Sequence, residues 1–383
     1  MPYRRLFILI GALVLVEVMF YSVLAPLLPY YVRHLGISKS EAGVLSASYA
    51  VGTILFSVPS GFLVSRIGAR RTVVVGVVLL AASSVAFGFI HAVAGLDAAR
   101  CLQGVGGAFV WTGGLSWLVA TAPAEQRGQV VGTALGVGIG GALLGPILGA
   151  AATVAGPEVV FSVIAAVIAA LGCFVIALER APQGRANTVR QLVAAIGVDS
   201  RIWAGFWFTA LPSVVFGVLE VLAPLRMGAL GAGAGGIAAT FFVAAAIEAR
   251  LSPVWGRLSD RHGPTPVARA GLAAAAAMAA WIWIPSAVGP LAVGVVAACV
   301  SFGIPWVPAS SLLSAGAEQH GLDQGVAFAL WSLAWGAGQA IGSMGGAAVA
   351  AATSDAVPYL ALAGACVVTL LAIRHPASES LSA

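Results

Sequence analysis

Charge is what this chain has least of. Only 9% of its 383 residues are Asp, Glu, Lys or Arg, against roughly 25% in a soluble domain. Lysine occurs once, as Lys39. So few charges cannot wet the surface of an ordinary globular protein, and a soluble domain is excluded. The four cysteines, Cys101, Cys173, Cys299 and Cys366, all fall inside hydrophobic stretches without metal-ligand spacing. They read as small apolar packing residues, with neither disulfide nor metal chemistry. Five histidines lie at or near the ends of such stretches and form no close pair. No glycine-rich loop runs into Lys-Ser or Lys-Thr, which excludes an ATP-driven pump within the chain. Gly104-Val105-Gly106 has the flavour of a nucleotide loop but sits in a hydrophobic run with no strand before it. Ten-residue alternating segments are absent too, so a β-barrel is excluded. These absences predict no cofactor, no metal and no enzymatic activity.

Hydrophobic residues are what the chain does have: 60% of the total, with a mean hydropathy of +1.00. A hydrocarbon core of about 30 Å takes roughly 20 apolar residues per helix. Twelve stretches qualify, near 6–30, 42–64, 72–90, 93–119, 129–154, 159–178, 202–224, 236–255, 267–285, 290–313, 325–351 and 357–373. Several are rich in Gly and Pro, which membrane helices tolerate better than soluble ones. The expected fold is an all-α integral membrane protein of twelve transmembrane helices. MPYRR followed by an apolar run resembles a signal peptide, but the run reaches Pro29 without a cleavage site and reads as the first span.

Basic residues set the orientation. With the N-terminus in the cytoplasm, only Arg33, Lys39 and Arg226 lie outside, Arg100 and Arg250 lie within spans, and every other Arg lies inside. The positive-inside rule therefore predicts a multi-pass protein of the inner (plasma) membrane with both termini cytoplasmic. The formal charge of +5 follows from that topology and implies no nucleic-acid partner.

A short string occurs twice. GFLVSRIG fills 61–68 and GRLSDRHG fills 256–263; LAPL at 24–27 and 222–225, and AEQRG at 124–128 against AEQHG at 317–321, keep nearly the same offset. Such an offset is too long for a solenoid and indicates a duplicated half, the build of a secondary transporter. The expected organisation is two pseudo-symmetric six-helix bundles, 1–180 and 202–383, joined by a cytoplasmic linker at 181–201. Two readings of the linker stand: a surface amphipathic helix or a hydrated tether.

Three acids fall inside spans: Glu17, Glu248 and Glu220, ranked in that order as proton carriers. A carboxyl group withdrawn from water can take and release a proton as its exposure alternates. Glu17 and Glu248 belong near mid-bilayer, Glu220 in the outer half. Arg250, near Glu248, is a candidate counter-charge, although residues two apart on a helix point to different faces. Tyr21, Trp111, Trp306, Trp331 and Trp335 are the aromatic candidates for a substrate cavity. Their rings suit a lipophilic or cationic molecule, while helix packing is the ordinary use of each.

The loop strings carry a family resemblance. The chain resembles transporters of the major facilitator superfamily, and within it the twelve-helix drug:proton antiporters. Their loop motif G-x-L-x-D-R-x-G is matched by Gly61, Arg66 and Gly68 with Ser65 replacing the acid, and completely by Gly256, Asp260, Arg261 and Gly263. The resemblance implies a charged latch on the cytoplasmic side, its first half weakened at Ser65. RCLQGVGGA at 100–108 is similar to the family's fourth-helix motif, which implies that Arg100 modulates a nearby carboxylate; pairing with polar groups at the helix's outer end, such as Asp97, is the alternative. GALLGPILG at 141–149 is similar to the antiporter signature. Gly141, Gly145 and Gly149 share one face suited to close packing, and Pro146 invites a bend. The resemblance implies proton-coupled efflux of a small molecule by alternating access, by a monomer in the bilayer. The alternatives are an uptake uniporter or proton symporter, and a transporter-like sensor.

Overall fold

In the computed structural model the described residues are 2–122, 127–178, 199–320 and 324–373, all helical apart from turns. The expected linker therefore lies almost wholly outside them, as does the start of the AEQRG string. The first span is broken: α1 (Pro2–Ser22) and α2 (Leu24–Leu35) meet at Val23. Pro26 explains the break. It has no N–H to offer the Ser22 carbonyl, and its ring crowds that oxygen. Then come α3 (Lys39–Ile67), α4 (Ala69–Phe89), α5 (Val93–Thr121), α6 (Arg127–Ala155) and α7 (Pro157–Ala177). Ser38 opens α3 with a reciprocal capping box: Glu41 N–H donates to Ser38 Oγ (3.2 Å) and Ser38 N–H to Glu41 Oε2 (2.7 Å).

The second half repeats the plan with α8 (Ser200–Ala229), α9 (Ala234–His262), α10 (Pro264–Trp281), α11 (Val288–Gly303), α12 (Trp306–Gln319), α13 (Gln324–Ala340), α14 (Ala347–Ala352) and α15 (Ala356–Ala372). Helices α11 and α12 run in series as one span. So do α13 and α14, through a π-helical turn at Ile341–Gly346. Counted this way there are twelve spans, in the places the hydrophobic stretches predict. Among the described residues, eight are long and apolar enough to cross a membrane by composition alone, and the apolar α15 is shorter.

The duplication is visible in three dimensions. Gly68 ends α3 and Gly263 ends α9, with φ of 88° and 86°. A side chain strains that backbone, which is why both copies of the string close on glycine. Two residues past Gly68 and six past Gly263, an arginine makes the same kind of contact. Arg70 Nη1 donates to Leu178 O at the end of α7 (2.8 Å), and Arg269 Nη1 to Ile373 O at the end of α15 (2.9 Å). Each guanidinium thus meets the negative end of the last helix of its own half.

Two apolar cores form, one almost wholly from residues 6–175 and one almost wholly from 208–366. On the face opposite Pro2, here the far face, the halves touch. Lys39 Nζ lies 2.6 Å from Asp355 Oδ1, and Gly43 abuts Ser343 and Ala347 so closely that a Cβ would collide with both. Contact continues down to Ile54 against Gly336. Nearer the N-terminal face α3 changes character: Leu55, Phe56, Val58, Pro59, Gly61, Phe62, Ser65 and Arg66 are exposed, while Ser60 stays buried. The described contacts between the halves along α3 are thus on the far side.

Candidate functional site

At the level of the break in the first span, polar side chains gather in an otherwise apolar interior. Glu17 is 4% exposed. Its Oε1 accepts from the Tyr49 hydroxyl of α3, and its Oε2 from Trp111 Nε1 of α5 at 2.6 Å. Gly107 makes room, because a Cβ there would strike the carboxylate. Both oxygens are therefore met by neutral donors within one half.

One turn on, Tyr21 reaches the other half. Its hydroxyl donates to Glu220 Oε2 of α8 at 2.6 Å. Gln339 of α13 donates from Nε2 to the same oxygen at 2.8 Å, and also contacts the Tyr21 hydroxyl. The Tyr21 ring stands edge-on to Trp335 (5.0 Å between centroids) and tilted to Tyr49 (5.6 Å). Tyr49 and Tyr21 thus lie side by side, the first on Glu17 and the second on Glu220. Each half supplies one buried carboxylate.

Arg100 is 1% exposed, and among the described residues no carboxylate lies within ion-pair distance of it. It donates from Nη1 to Phe20 O (2.6 Å) and Gln103 Oε1 (3.0 Å), and from Nη2 to Tyr21 O (3.3 Å), with the guanidinium 5.0 Å from the Tyr49 ring centroid. The alternative pairing with Asp97 is not made among the described residues. The break at Val23 accounts for this, because carbonyls at the end of α1 carry the negative pole of the helix dipole and lack regular partners. Stripping a guanidinium of water costs several kcal/mol. Charge-assisted bonds of about 1.5–3 kcal/mol each offset it.

Glu248 is placed differently. It lines a cavity of about 80 Å³ with Glu220, Tyr21, Ser22, Pro146, Phe216, Phe241 and Cys299, and among the described residues no hydrogen bond or ion pair reaches it. Arg250, the expected counter-charge, is exposed on another face of α9. Trp306 stands 5.8 Å from Phe216 and 6.4 Å from Trp331 between ring centroids. The aromatic candidates thus divide into Trp111 on Glu17, Tyr21 with Trp335 at the junction, and Trp306 with Trp331 in the second half.

The glycine face of α6 packs on the broken first span. A Cβ on Gly141 would strike Leu15 O, one on Gly145 would strike Ser22 Oγ, and one on Gly149 would strike Val23 O. Helix α6 runs through Pro146 without a break; the interruption falls in the partner helix.

A family model for the Major Facilitator Superfamily matches residues 10–322. The chain belongs to this superfamily. Several curated relatives match over short stretches. An MFS-type transporter, ppzB, of Metarhizium rileyi (strain RCEF 4871) is 32% identical over 122 residues, 30% of this chain and 25% of its own length. The quinolone resistance protein NorA of Staphylococcus aureus (strain MRSA252) is 26% identical over 107 residues, 28% of each chain. The chain thus spans about a quarter of the length of each of these two relatives. The crystal structure of a bacterial homolog of the human lysosomal transporter Spinster, inward-facing and unoccupied, superposes with a TM-score of 0.77 over 97% of this chain and 94% of that one, at 14% identity. That likeness concerns the fold alone. Fold and family are those of transporters.

Within this superfamily member the loop strings are not engaged. Ser65 Oγ donates to Phe62 O of its own helix (2.8 Å). Arg66, Asp260 and Arg261 are exposed, and no ion pair among the described residues includes them. Gly61 has open space around it, and a Cβ on Gly256 would meet only Val307, at 3.9 Å. Sequence reasoning missed Tyr49 and Gln339. Gln339 carried a signal, a lone amide between two apolar runs; Tyr49 did not stand out from its span.

Proposed function

We propose that the protein is a proton-coupled exporter of a lipophilic or cationic small molecule, working by alternating access between residues 1–180 and 202–383. The observation that carries this is Glu220 Oε2, which accepts from Tyr21 of the other half and from Gln339. An ionised carboxylate offers only acceptors, whereas a protonated one turns one oxygen into a donor. Proton arrival at Glu220 therefore alters the bond that joins the halves, and Glu220 moves ahead of Glu17 and Glu248 in the ranking. Glu17 keeps a carrier role within its half, with Arg100 holding Tyr21 in place through the chain carbonyls. Glu248, Phe216, Phe241 and Trp306 form the wall for an apolar cation. The local likeness to a quinolone resistance protein favours a drug-like substrate. The N-terminal face is cytoplasmic on this reading, in an inner (plasma) membrane, and the monomer suffices.

The test is exchange in proteoliposomes under an imposed pH gradient, run against a panel of lipophilic cations. Substrate moving against the proton flow in wild type, and not in Glu220→Gln, supports the reading. Substrate moving with protons overturns export, and gradient-driven exchange retained in Glu220→Gln returns the carrier role to Glu17.

A further inference from the structure

Helix α9 carries a second feature, on the side turned from the cavity. Phe241, Ala244 and Glu248 line the central space. Arg250 lies two residues on, about 200° round the helix at 100° per residue. It belongs to a stripe of Val243, Ile247, Arg250, Val254, Arg257 and Arg261, spaced alternately by four and three residues, all exposed. Val243 is 44% and Ile247 38% exposed. The far-face part of the stripe is thus aliphatic, and the part toward the N-terminal face carries three guanidinium groups.

Arg250 is the anomaly. It stands twelve residues before the end of α9 at His262, about 18 Å of helix. A guanidinium within a span is costly, about 2.5–3.5 kcal/mol at the helix centre by insertion scales, unless water or an anion meets it. Among the described residues none does: no ion pair or hydrogen bond reaches Arg250, Arg257 or Arg261. Glu248, two residues from Arg250, lines the cavity on the opposite side of the helix, and Asp260 is exposed near the helix end, off the stripe. Among the described residues the stripe has no counter-charge. At that depth the surroundings are acyl chains with headgroups below them.

We propose that this stripe binds an anionic phospholipid of the leaflet on the N-terminal face. Its phosphate sits between Arg250 and Arg257, and an acyl chain lies along Ile247 and Val243. The two arginines are seven residues apart, about 10 Å along the helix, and their flexible stems converge from above and below on one phosphate. Guanidinium forks suit phosphate oxygens, and basic clusters beside spans recognise anionic headgroups.

Native mass spectrometry of the purified chain in detergent tests this, with phosphatidylglycerol or phosphatidylcholine added at equal amounts. Wild type should retain phosphatidylglycerol preferentially, and millimolar inorganic phosphate should not displace it. Arg250→Gln and Arg257→Gln should each lower retention about tenfold, the effect of one charge-assisted bond. Arg250→Lys, which keeps the charge and guards against a misfolded Gln variant, should fall between. Equal retention of the two lipids by wild type, or unchanged phosphatidylglycerol retention in folded Arg250→Gln/Arg257→Gln, overturns the proposal. Displacement by inorganic phosphate overturns the lipid as occupant and assigns the stripe to a soluble anion.

Discussion

Tyr21 and Glu220 stand 199 positions apart in the chain and 2.6 Å apart in space. With the contact of Gln339 on the same hydroxyl, the bond ties the two halves together, and it lies beside the break in the first span. Any motion that parts the halves on the far side must strain or release it.

Tyr21→Phe removes the hydroxyl and keeps the ring against Tyr49 and Trp335. A hydrogen bond to a charged acceptor contributes about 1.5–3 kcal/mol, so far-side closure should weaken. In a background without native thiols, a cysteine at Ala347 should be labelled from the far face roughly tenfold faster in the variant. An unchanged rate would show that the bond has no weight in closure.

Arg100→Lys should lower the melting temperature of the purified protein, and Arg100→Ala should lower it further. Lysine is a point charge and cannot reach Phe20 O, Tyr21 O and Gln103 together as the planar fork does. Alanine leaves both chain carbonyls unmet, at about 1–3 kcal/mol each. If Arg100→Lys melts like wild type, the fork geometry is not what holds the end of α1.

Gly145→Leu should abolish exchange while insertion stays near normal, because the span only becomes more apolar. Even the Cβ would meet Ser22 Oγ and, at 2.7 Å, Met19 O, so α6 must part from the first span. Gly136→Leu is the control: the structure leaves open space there, and transport should persist. Internal pH measured alongside flux shows whether protons leak when the packing is lost. Equal transport by the two variants would reduce the glycine face to incidental packing.

The two loop strings should differ in weight. Asp260→Asn should raise cysteine labelling from the N-terminal face more than Ser65→Ala does, since only the second string has an acid to pair when that side closes. Matching rates would mean that neither string latches through its acid.

The span count and the duplication were legible from the chain alone, because hydrophobic length and string spacing are local quantities. The glycine face of α6 was legible too, since four-residue spacing fixes a face whatever the neighbour. The neighbour was not: nothing near Gly145 in sequence names Ser22. Glu17, Glu220 and Glu248 were found as acids in apolar runs, but the bonds that lead us to propose Glu220 first are not local. Hydrogen bonds such as Gln339 to Glu220 join residues 119 apart, and no local pattern encodes them. Arg100 donates to chain carbonyls, for a reason that begins at Pro26, on a different span.

The π-helical turn at Ile341–Gly346 has a consequence for the whole eleventh span. Gly338, Gly342 and Gly346 all press on α8, against Ala210, Val214 and Val218. In a regular α-helix positions four apart creep sideways by about 40° per step, and such a row soon slides off a straight neighbour. Wider i→i+5 bonding takes up that creep, so the row stays aimed at α8 over two successive steps. The turn works as a vernier between the two ends of the span: Gln339 keeps its clock position at Glu220 while Ala347, two turns on, still meets Gly43 of the other half.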